Sequence, residues 1–205
     1  YCLDKYDRNL TTSVKVEEEV ISTYYFQYSI LYALKTDDIR PIYLASCCDV
    51  SGNETVEGIY EYDIAKRCEE DDSLEDNEDC VHTLNTVQML HKPNSNEIAH
   101  KEERWVDIVH MTGHVHRGGL EISAYNNLTG ELMCQSKPTY GGGHEIGDEQ
   151  GYVVAMSTCT FDPPLRMKTT DPIFLCSKYD ARKSHTGVMG LFFIEIADVD
   201  EGTSE

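Results

Sequence analysis

The sequence predicts an all-β protein, an antiparallel β-sandwich of jelly-roll type that is stapled by disulfides. Short stretches of alternating apolar and polar residues recur along the 205 residues, and almost none has a helical period. Turn signals such as Asp162-Pro163-Pro164 separate these stretches. Eight cysteines occur without a repeated CxxC motif, which favours disulfides over a zinc site.

The individual elements follow from the same period of two. Residues 24–34 alternate aromatic or aliphatic side chains with smaller and polar ones, and they predict a long core strand. The one helical turn that the pattern predicts covers residues 63–68. Further strands are predicted at residues 41–45, 58–62, 104–110, 120–125, 152–156, 172–175 and 190–196.

The chain divides into one folded domain with two polar ends. We expect the sandwich to span residues 21–198 and an acidic tail to follow at 199–205. Residues 1–20 are polar and include a short alternation from Ser13 to Glu17. Such a strand can add to the sheet edge of a neighbouring molecule. Self-assembly into a homo-oligomer or filament is therefore one expectation.

Charge and hydrophobicity exclude two classes of partner. The formal net charge is −20, which opposes binding to nucleic acid or to an anionic membrane surface. No uninterrupted apolar run approaches the roughly 18 residues that a membrane helix needs. We expect no nucleic-acid partner and no membrane span.

The sequence favours a secreted, extracellular protein. Asn9, Asn53 and Asn127 each begin an Asn-x-Thr acceptor pattern for N-linked glycans. Together with an even number of cysteines, they indicate an oxidising compartment, and we expect a signal peptide to have been removed. Between Cys68 and Cys80, eight of eleven residues are acidic. This segment is expected to be a solvated loop rather than a calcium site, because the ligand spacing of a calcium loop is missing.

The motif with the clearest chemistry is the pair His114 and His116 in TGHVHRGG, together with Met189 in HTGVMGLFFIEI. Alternate residues of a strand point to one face, so the two imidazoles can converge on one ion. A thioether as third ligand favours copper. The alternative is a partly buried polar strand edge with a methionine that only fills the core. His110, on the same face of a regular strand, and His185, about 13 Å from Met189 if the chain is extended, are weaker ligand candidates.

About two thirds of the chain, from residue 58 to 197, resembles a known family. The pieces that carry the resemblance are YDI before Cys68, GHVHRGG at 113–119, CQSKPTYGGG at 134–143, GYVVAMSTC at 151–159 and HTGVMGLFFIEIA at 185–197. In order and spacing they resemble the C-terminal part of the stress-up-regulated nodulin (SURNod-type) family. That family is more distantly similar to the second domain of copper-dependent peptidylglycine monooxygenases, a β-sandwich with an HxH and methionine copper site.

The resemblance implies specific roles for residues of this chain. It makes His114, His116 and Met189 the ligands of a copper cofactor. It also implies two disulfides, Cys68 with Cys80 and Cys134 with Cys159. The sequence does not decide how the remaining cysteines pair, which are Cys2, Cys47, Cys48 and Cys176.

The departures from the monooxygenase pattern limit the expected activity. This sequence contains no His-His pair, and its first histidine is His82, so complete two-copper monooxygenase activity is not expected. No Gly-x-Ser-x-Gly nucleophile motif or phosphate-binding loop is present, and no catalytic residue is assigned. The two hypotheses are a secreted glycoprotein with a mononuclear copper site and a structural subunit of an extracellular filament or coat.

Overall fold

The structure is a computed structural model that describes residues 25, 27–36, 39–45, 48–52, 61–75, 77–91, 103–144 and 147–199. The predicted N-terminal segment 1–20 and residues 200–205 of the tail lie outside these ranges. The sequons at Asn9 and Asn53 and the cysteines Cys2 and Cys47 also lie outside them.

The regular structure of these residues consists of β-strands and one 3-10 helix, Glu78–Cys80. In chain order the strands are β1 (Ile42–Ala45), β2 (Tyr62–Ile64), β3 (Val81–Gln88), β4 (Trp105–Val115), β5 (Gly119–Asn126), β6 (Leu132–Ser136), β7 (Pro138–Tyr140), β8 (Val153–Met156), β9 (Thr158–Lys168), β10 (Ile173–Asp180), β11 (His185–Val188) and β12 (Gly190–Asp198).

Eight of these strands form two four-stranded sheets with jelly-roll topology. The first sheet has the order β1-β12-β4-β9, and the second has the order β3-β10-β5-β6. The first of the eight strands thus pairs with the last, the second with the seventh, the third with the sixth and the fourth with the fifth. All these pairings are antiparallel. This nesting is the pattern of a jelly roll, and it confirms the predicted fold class.

The core lies between the two sheets and follows from strict alternation along the central strands. Every second residue of β10, from Ile173 to Tyr179, is buried. On the opposite sheet, Phe192 and Ile194 of β12 are fully buried. Burial of such side chains contributes about 1.5–3 kcal/mol each relative to exposure, so these strands make up the stable centre of the fold.

A bulge in β4 decides which of its side chains face the core. Ile108 and Met111 are three residues apart, yet both are fully buried. Relative to β12, β4 has one extra residue here, Val109, and this residue shifts the alternation by one position. Beyond the bulge the odd-numbered residues face the core and the even-numbered residues face outward.

Gly113 lies where β4 closely approaches the second sheet. A Cβ atom at this position would lie 2.6 Å from the Cβ of Ser136 on β6. The Gly113 N–H also donates a hydrogen bond to the Ser136 hydroxyl, at 3.2 Å. Glycine therefore lets the two sheets meet at this point, while the register of β4 with β12 stays regular.

Two disulfides confirm the pairing that the resemblance implies. Cys68 is bonded to Cys80 and closes the acidic loop. Cys134 on β6 is bonded to Cys159 on β9, with an S–S distance of 2.03 Å, and joins the two sheets. Cys48 is also disulfide-bonded.

Three sequence predictions are wrong for the described residues. Residues 27–36 form no strand, and side chains such as Leu31 are fully exposed, because alternation indicates an apolar face but not a surface that covers it. Residues 63–68 form no helical turn; Asp63 and Ile64 continue β2 instead. Cys176 is a free thiol rather than part of a disulfide. Its direct strand partners on either side are Asn85 and Ser123, which cannot form one.

Candidate metal centre

His114 and His116 lie side by side on the outer face of the first sheet, where β4 ends. Their ring centroids are 5.2 Å apart, and the ring planes are nearly perpendicular, at 84°. His114 is half-buried and has the Phe193 ring next to it, with the centroids 6.2 Å apart. His116 is only 6% exposed. The strand alternation beyond the bulge thus makes the two imidazoles neighbours.

The ring of His116 has one nitrogen in use and one without a partner. The Gly187 backbone hydrogen-bonds the ring and favours its protonated form, so the Gly187 carbonyl is the acceptor. The Nε2 atom of His116 is buried and has no hydrogen-bond partner, which makes Nδ1 the donor. A histidine whose Nδ1–H is bound to a carbonyl presents Nε2 as a lone-pair donor, the arrangement found behind metal ligands.

Gly187 can reach His116 because its backbone has a conformation that suits glycine. Its φ is +65°, in the left-handed region. Its N–H donates a hydrogen bond to the Asp63 carboxylate on β2, at 3.1 Å. The bend at Gly187 within β11 is therefore fixed from one side by Asp63 and touches the His116 ring from the other.

Burial lowers the pKa of both imidazoles below the ordinary value for histidine. For His114, the charge of a protonated His116 lowers the pKa further. For His116, burial outweighs the Gly187 carbonyl and the Glu61 carboxylate, which both favour the protonated ring. Both rings are consequently neutral at pH 7, and neutral imidazole is the form that binds metal ions.

The hydroxyl of Tyr179 connects the two parts of the chain that carry the predicted ligands. The backbone N–H of His116 donates a hydrogen bond to this hydroxyl, at 2.8 Å. The hydroxyl in turn donates to the backbone carbonyl of Met189. Tyr179 is fully buried in the core. His116 and Met189 are therefore held next to each other by a single rigid side chain.

The strand register gives the same placement for Met189. Gly190 on β12 pairs with Val115 on β4, and Leu191 pairs with His114. The pairing ends at this point, and His116 and Met189 are the next residues of the two chain segments, with the Tyr179 hydroxyl between their backbone groups. The backbone of Met189 therefore lies beside His116 at the corner of the first sheet where β4 ends.

The separation of the two rings suits a single shared ion. A metal–nitrogen bond of about 2.0 Å puts the ion roughly 3 Å from an imidazole centroid, so that two such rings can be about 6 Å apart at most. The observed 5.2 Å lies within this limit. Two imidazoles and one thioether together are a ligand set that suits copper.

The two weaker ligand candidates are placed differently. His110 lies on the same outer face, but Nδ1 is 2.9 Å from the Thr160 hydroxyl and Nε2 is 3.0 Å from the Thr112 hydroxyl. His185 is buried, and its Nε2 lies 2.9 Å from the carbonyl oxygen of Asp180. It lines a separate cleft with Arg117 and Tyr140. Neither histidine is brought to the corner of His114 and His116.

His82 on β3 shows that an unpaired ring nitrogen is not sufficient for a site. Its Nδ1 is buried without a hydrogen-bond partner, and burial, with the nearby Arg67 charge, lowers its pKa. Among the described residues, however, the His114 and His116 rings are the ones that form an imidazole pair. His116 differs from His82 because its unpaired ring nitrogen lies beside a second imidazole, that of His114.

A cleft of about 450 Å³ opens at this corner and contains a residue that sequence reasoning missed. His114, His116 and the aromatic residue Tyr152 line it, and so does Met156 at the end of β8. Met156 belongs to the GYVVAMSTC motif, but whether it lies near the histidines depends on the register of β9 against β4. Only a correct register of these strands could have revealed it.

One other cluster of ligand-type side chains exists in the described part of the chain. Cys68, Asp72 and Cys80 have donor atoms within 4.8 Å of one another. Because the two sulfur atoms are bonded to each other, they are not the thiolates that bind metal ions. Among the described residues, no group of three His, Cys, Asp or Glu side chains with donor atoms this close together includes His114 or His116.

Comparison with known proteins shows the family. Among the described residues, no helix has the length and apolar character needed to cross a membrane. No curated protein sequence matches the chain closely enough to show a relationship. The sequence model described as "Stress up-regulated Nod 19" matches residues 2–199, a longer stretch than the motifs alone suggested. The protein therefore belongs to the stress up-regulated Nod 19 family.

Proposed function

We propose that this protein is a secreted glycoprotein that binds one copper ion through His114, His116 and Met189. The observation that carries the proposal is the buried Nε2 of His116, which has no partner and lies beside a second imidazole. An unpaired buried nitrogen costs about 1–3 kcal/mol of folding free energy. A bound metal ion would satisfy it.

The choice of copper rests on the available third ligand. No Asp, Glu, Cys or further His among the described residues completes a group of three with the histidine pair, whereas the Tyr179 hydroxyl links the backbone of Met189 to that of His116. Thioethers bind Cu(I) and contribute little to zinc, magnesium or calcium sites. The distant similarity of the HxH and methionine motifs to the second domain of copper-dependent peptidylglycine monooxygenases points to the same metal.

Copper, when bound, would supply one-electron redox chemistry at the wall of the cleft. The protein's own part is to fix the His116 tautomer through the Gly187 carbonyl and to hold His116 and Met189 together through Tyr179. The cleft beside the histidines leaves room for a small ligand of the metal. We assign no monooxygenase activity, since the chain contains no His-His pair for a second copper.

Secretion and N-glycosylation are part of this proposal. Two disulfides at bonding distance fit an oxidising compartment. Of the three sequons, Asn127 lies in the described residues, where it is exposed in the turn between β5 and β6. Expression in a eukaryotic secretory host should give protein whose glycan mass falls when Asn127 is changed to Gln.

Anaerobic titration of the purified protein with Cu(I) against a chromogenic chelator tests copper binding. We expect one equivalent to bind to the wild type, and we expect binding to be lost in His116→Ala. His110→Ala is the matched control, because it removes a histidine of the same strand face whose ring nitrogens both contact threonine hydroxyls. Absence of copper uptake by the wild type, or equal uptake by both variants, would rule out the proposed site.

A structural subunit of an extracellular filament or coat is the second candidate function. Exposed apolar side chains favour it: Leu31 is fully exposed, and on β1, at the edge of its sheet, Ile42 and Leu44 are 56% and 50% exposed. Such surfaces are typical of protein interfaces. Light scattering should then show concentration-dependent assembly that Leu44→Asp weakens. A full-length chain that stays monomeric at high concentration excludes this function.

A further inference from the structure

An apolar row crosses the outer face of the second sheet, from one edge strand to the other. Its members are direct partners in the strand register, one on each strand: Val87 on β3, Phe174 on β10, Tyr125 on β5 and Leu132 on β6. Val87 and Leu132 are 44% and 52% exposed, and the two aromatic side chains between them are half-buried. Apolar side chains grouped in this way on a surface are typical of a contact site.

The rings of Tyr125 and Phe174 form the centre of the apolar row. Their centroids are 6.0 Å apart, and the ring planes are inclined by 51°. The chain neighbours of Phe174, which are Ile173 and Leu175, are fully buried in the core, so Phe174 and its partner Tyr125 lie on the opposite, outer face. The two rings thus provide a half-exposed aromatic surface near the end of β5.

The turn between β5 and β6 carries a sequon at the exposed residue Asn127. The side chain of Asn126 accepts hydrogen bonds from the N–H groups of Leu128 and Thr129, at 2.9 and 3.2 Å. The Gly130 N–H donates to the Asn126 carbonyl at 2.7 Å, and the φ of Gly130 is +75°, in the left-handed region. These bonds fix the turn, and with it the point at which a glycan on Asn127 begins.

Asn127 lies on the same face of the sheet as Tyr125. Its N–H donates a hydrogen bond to the carbonyl of Pro172, at 3.0 Å. This bond is one step beyond the pair of Asn126 and Ile173, so the chain still follows β10 at Asn127. Alternate residues of a strand share a face and are about 7 Å apart. The first sugar on Asn127 is therefore within reach of the Tyr125 ring.

We propose that the N-linked glycan of Asn127 packs its first N-acetylglucosamine against the Tyr125 ring and covers the apolar row. The inference rests on the glycosylation in the proposed function and goes beyond it by giving the glycan a structural contact. In the attachment, the Asn127 amide nitrogen bonds to the anomeric carbon of the first sugar, the amide loses one proton, and the lipid pyrophosphate of the oligosaccharide donor leaves. The C–H groups of a sugar ring suit the negative face of an aromatic ring, as the edge of a second aromatic ring does.

The glycan is a better occupant of the apolar row than a partner protein, because it is tethered beside the row. A short tether gives a high effective concentration at the contact, so a weak stacking interaction is sufficient. A glycan at this position is also bulky and hydrated, and it would hinder a protein from docking on Tyr125 and Phe174.

A double-mutant cycle in a eukaryotic secretory host tests the contact. Its four proteins are the wild type, Asn127→Gln, Tyr125→Thr and the double variant, in which threonine keeps a β-branched residue in the strand without the ring. Loss of the glycan should lower Tm by about 2–4 °C in the wild type and by much less in Tyr125→Thr. In NMR spectra the Tyr125 ring should also shift a proton of the first sugar upfield, and Tyr125→Thr should remove this shift.

Trp105→Thr is the matched control, because Trp105 is a 49% exposed aromatic residue on β4, in the other sheet. Loss of the glycan should lower Tm as much in this variant as in the wild type. An equal loss in Tyr125→Thr overturns the contact and leaves glycosylation intact. Self-association of the glycosylated wild type that Tyr125→Thr abolishes also overturns it, because a second copy would then cover the row. A wild-type Asn127 without glycan, by peptide mass spectrometry, overturns both this inference and the glycosylation in the proposed function.

Discussion

The outer face of β4 has a buried polar side chain near each end, and the two are satisfied to different degrees. Asp107 is 3% exposed and accepts hydrogen bonds from Arg40 at 2.8 Å and from Arg166 at 3.0 Å. His116 is 6% exposed and has a ring nitrogen without any partner. Folded proteins pair nearly all buried polar groups. Asp107 is therefore part of a structural ion pair, whereas His116 offers an open position for a ligand.

The largest loss of stability is expected at Asp107, where both arginines donate hydrogen bonds. Asp107→Ala removes the acceptor for both arginines and should lower the free energy of unfolding by about 2 kcal/mol, as measured by urea denaturation. The arginines are partly exposed, so solvent screens part of the effect. Asp198→Ala, which breaks the more exposed pair with Arg104, should cost much less. Copper affinity should stay the same in both variants, and a loss of copper binding in Asp107→Ala would contradict the separation of the two ends.

A smaller change is expected when the link between the proposed ligands His116 and Met189 is removed. Tyr179→Phe deletes the hydroxyl between His116 and Met189 and should cost about 1–2 kcal/mol of stability. The substitution should also weaken Cu(I) binding about tenfold or more, because phenylalanine has no hydroxyl to hold the backbones of His116 and Met189 together. Chelator competition measures this affinity.

Tyr62→Phe is the control for this change. The Tyr62 ring packs edge-on against Tyr179, and its hydroxyl lies 3.0 Å from the Ser177 hydroxyl. Burial raises the pKa of Tyr62 to about 12, as expected for a phenol in the same apolar cluster. Its stability loss should resemble that of Tyr179→Phe while copper affinity remains unchanged. Equal copper affinity in both variants would show that Tyr179 has only a structural role.

The pH dependence of the free energy of unfolding also tests the role of Asp107. Burial raises the pKa of the Asp107 carboxyl, but the hydrogen bonds from Arg166 and Arg40 outweigh burial and hold this pKa below its ordinary value of 3.8. The contribution of Asp107 is thus complete above the unfolded-state pKa and is lost as the pH falls through the folded-state value. Urea denaturation below pH 4 should show a smaller difference between wild type and Asp107→Asn than at pH 7. A constant difference would contradict the role of the ion pair.

The smallest effect is expected between the two ends, at His110. Thr160→Val removes the hydroxyl that contacts His110 Nδ1 and should cost less than about 1 kcal/mol, because water can replace a partner at this half-exposed position. Differential scanning calorimetry measures this change, with Thr158→Val as control on the same strand. A change in copper stoichiometry in Thr160→Val would mean that His110 takes part in the site.

The sequence predicted the sandwich because it contains many short β-rich stretches separated by turn signals. In β10 burial alternates strictly from Ile173 to Tyr179, although the residue types do not, since Ser177 is buried and Phe174 lies on the half-exposed face. The same signal failed for residues 27–36, where Leu31 and its neighbours are exposed. Periodicity reports that one face is apolar, whereas burial also needs a second surface to cover that face. Local sequence does not contain this second requirement.

The candidate site was predictable only where it depends on neighbouring residues of one strand. The proximity of His114 and His116 follows from alternation, and the adjacent placement of Met189 was implied by the family resemblance. Met156 was missed because its distance from His114 depends on the register of β9 against β4. His110 was kept as a candidate because the threonine that contacts its Nδ1 lies on another strand. These pairings are tertiary and cannot be read from spacing.

The central claim is that His116 binds copper through Nε2 while His110, on the same face of the same strand, does not. Long-range ¹H–¹⁵N spectra of the histidine side chains test it in one sample, since Cu(I) is diamagnetic. Addition of one equivalent of Cu(I) should shift the Nε2 resonance of His116, together with a ring nitrogen of His114, and should leave both nitrogens of His110 unchanged. Unshifted His116 resonances in the presence of Cu(I), or equal shifts for His110, would contradict the claim.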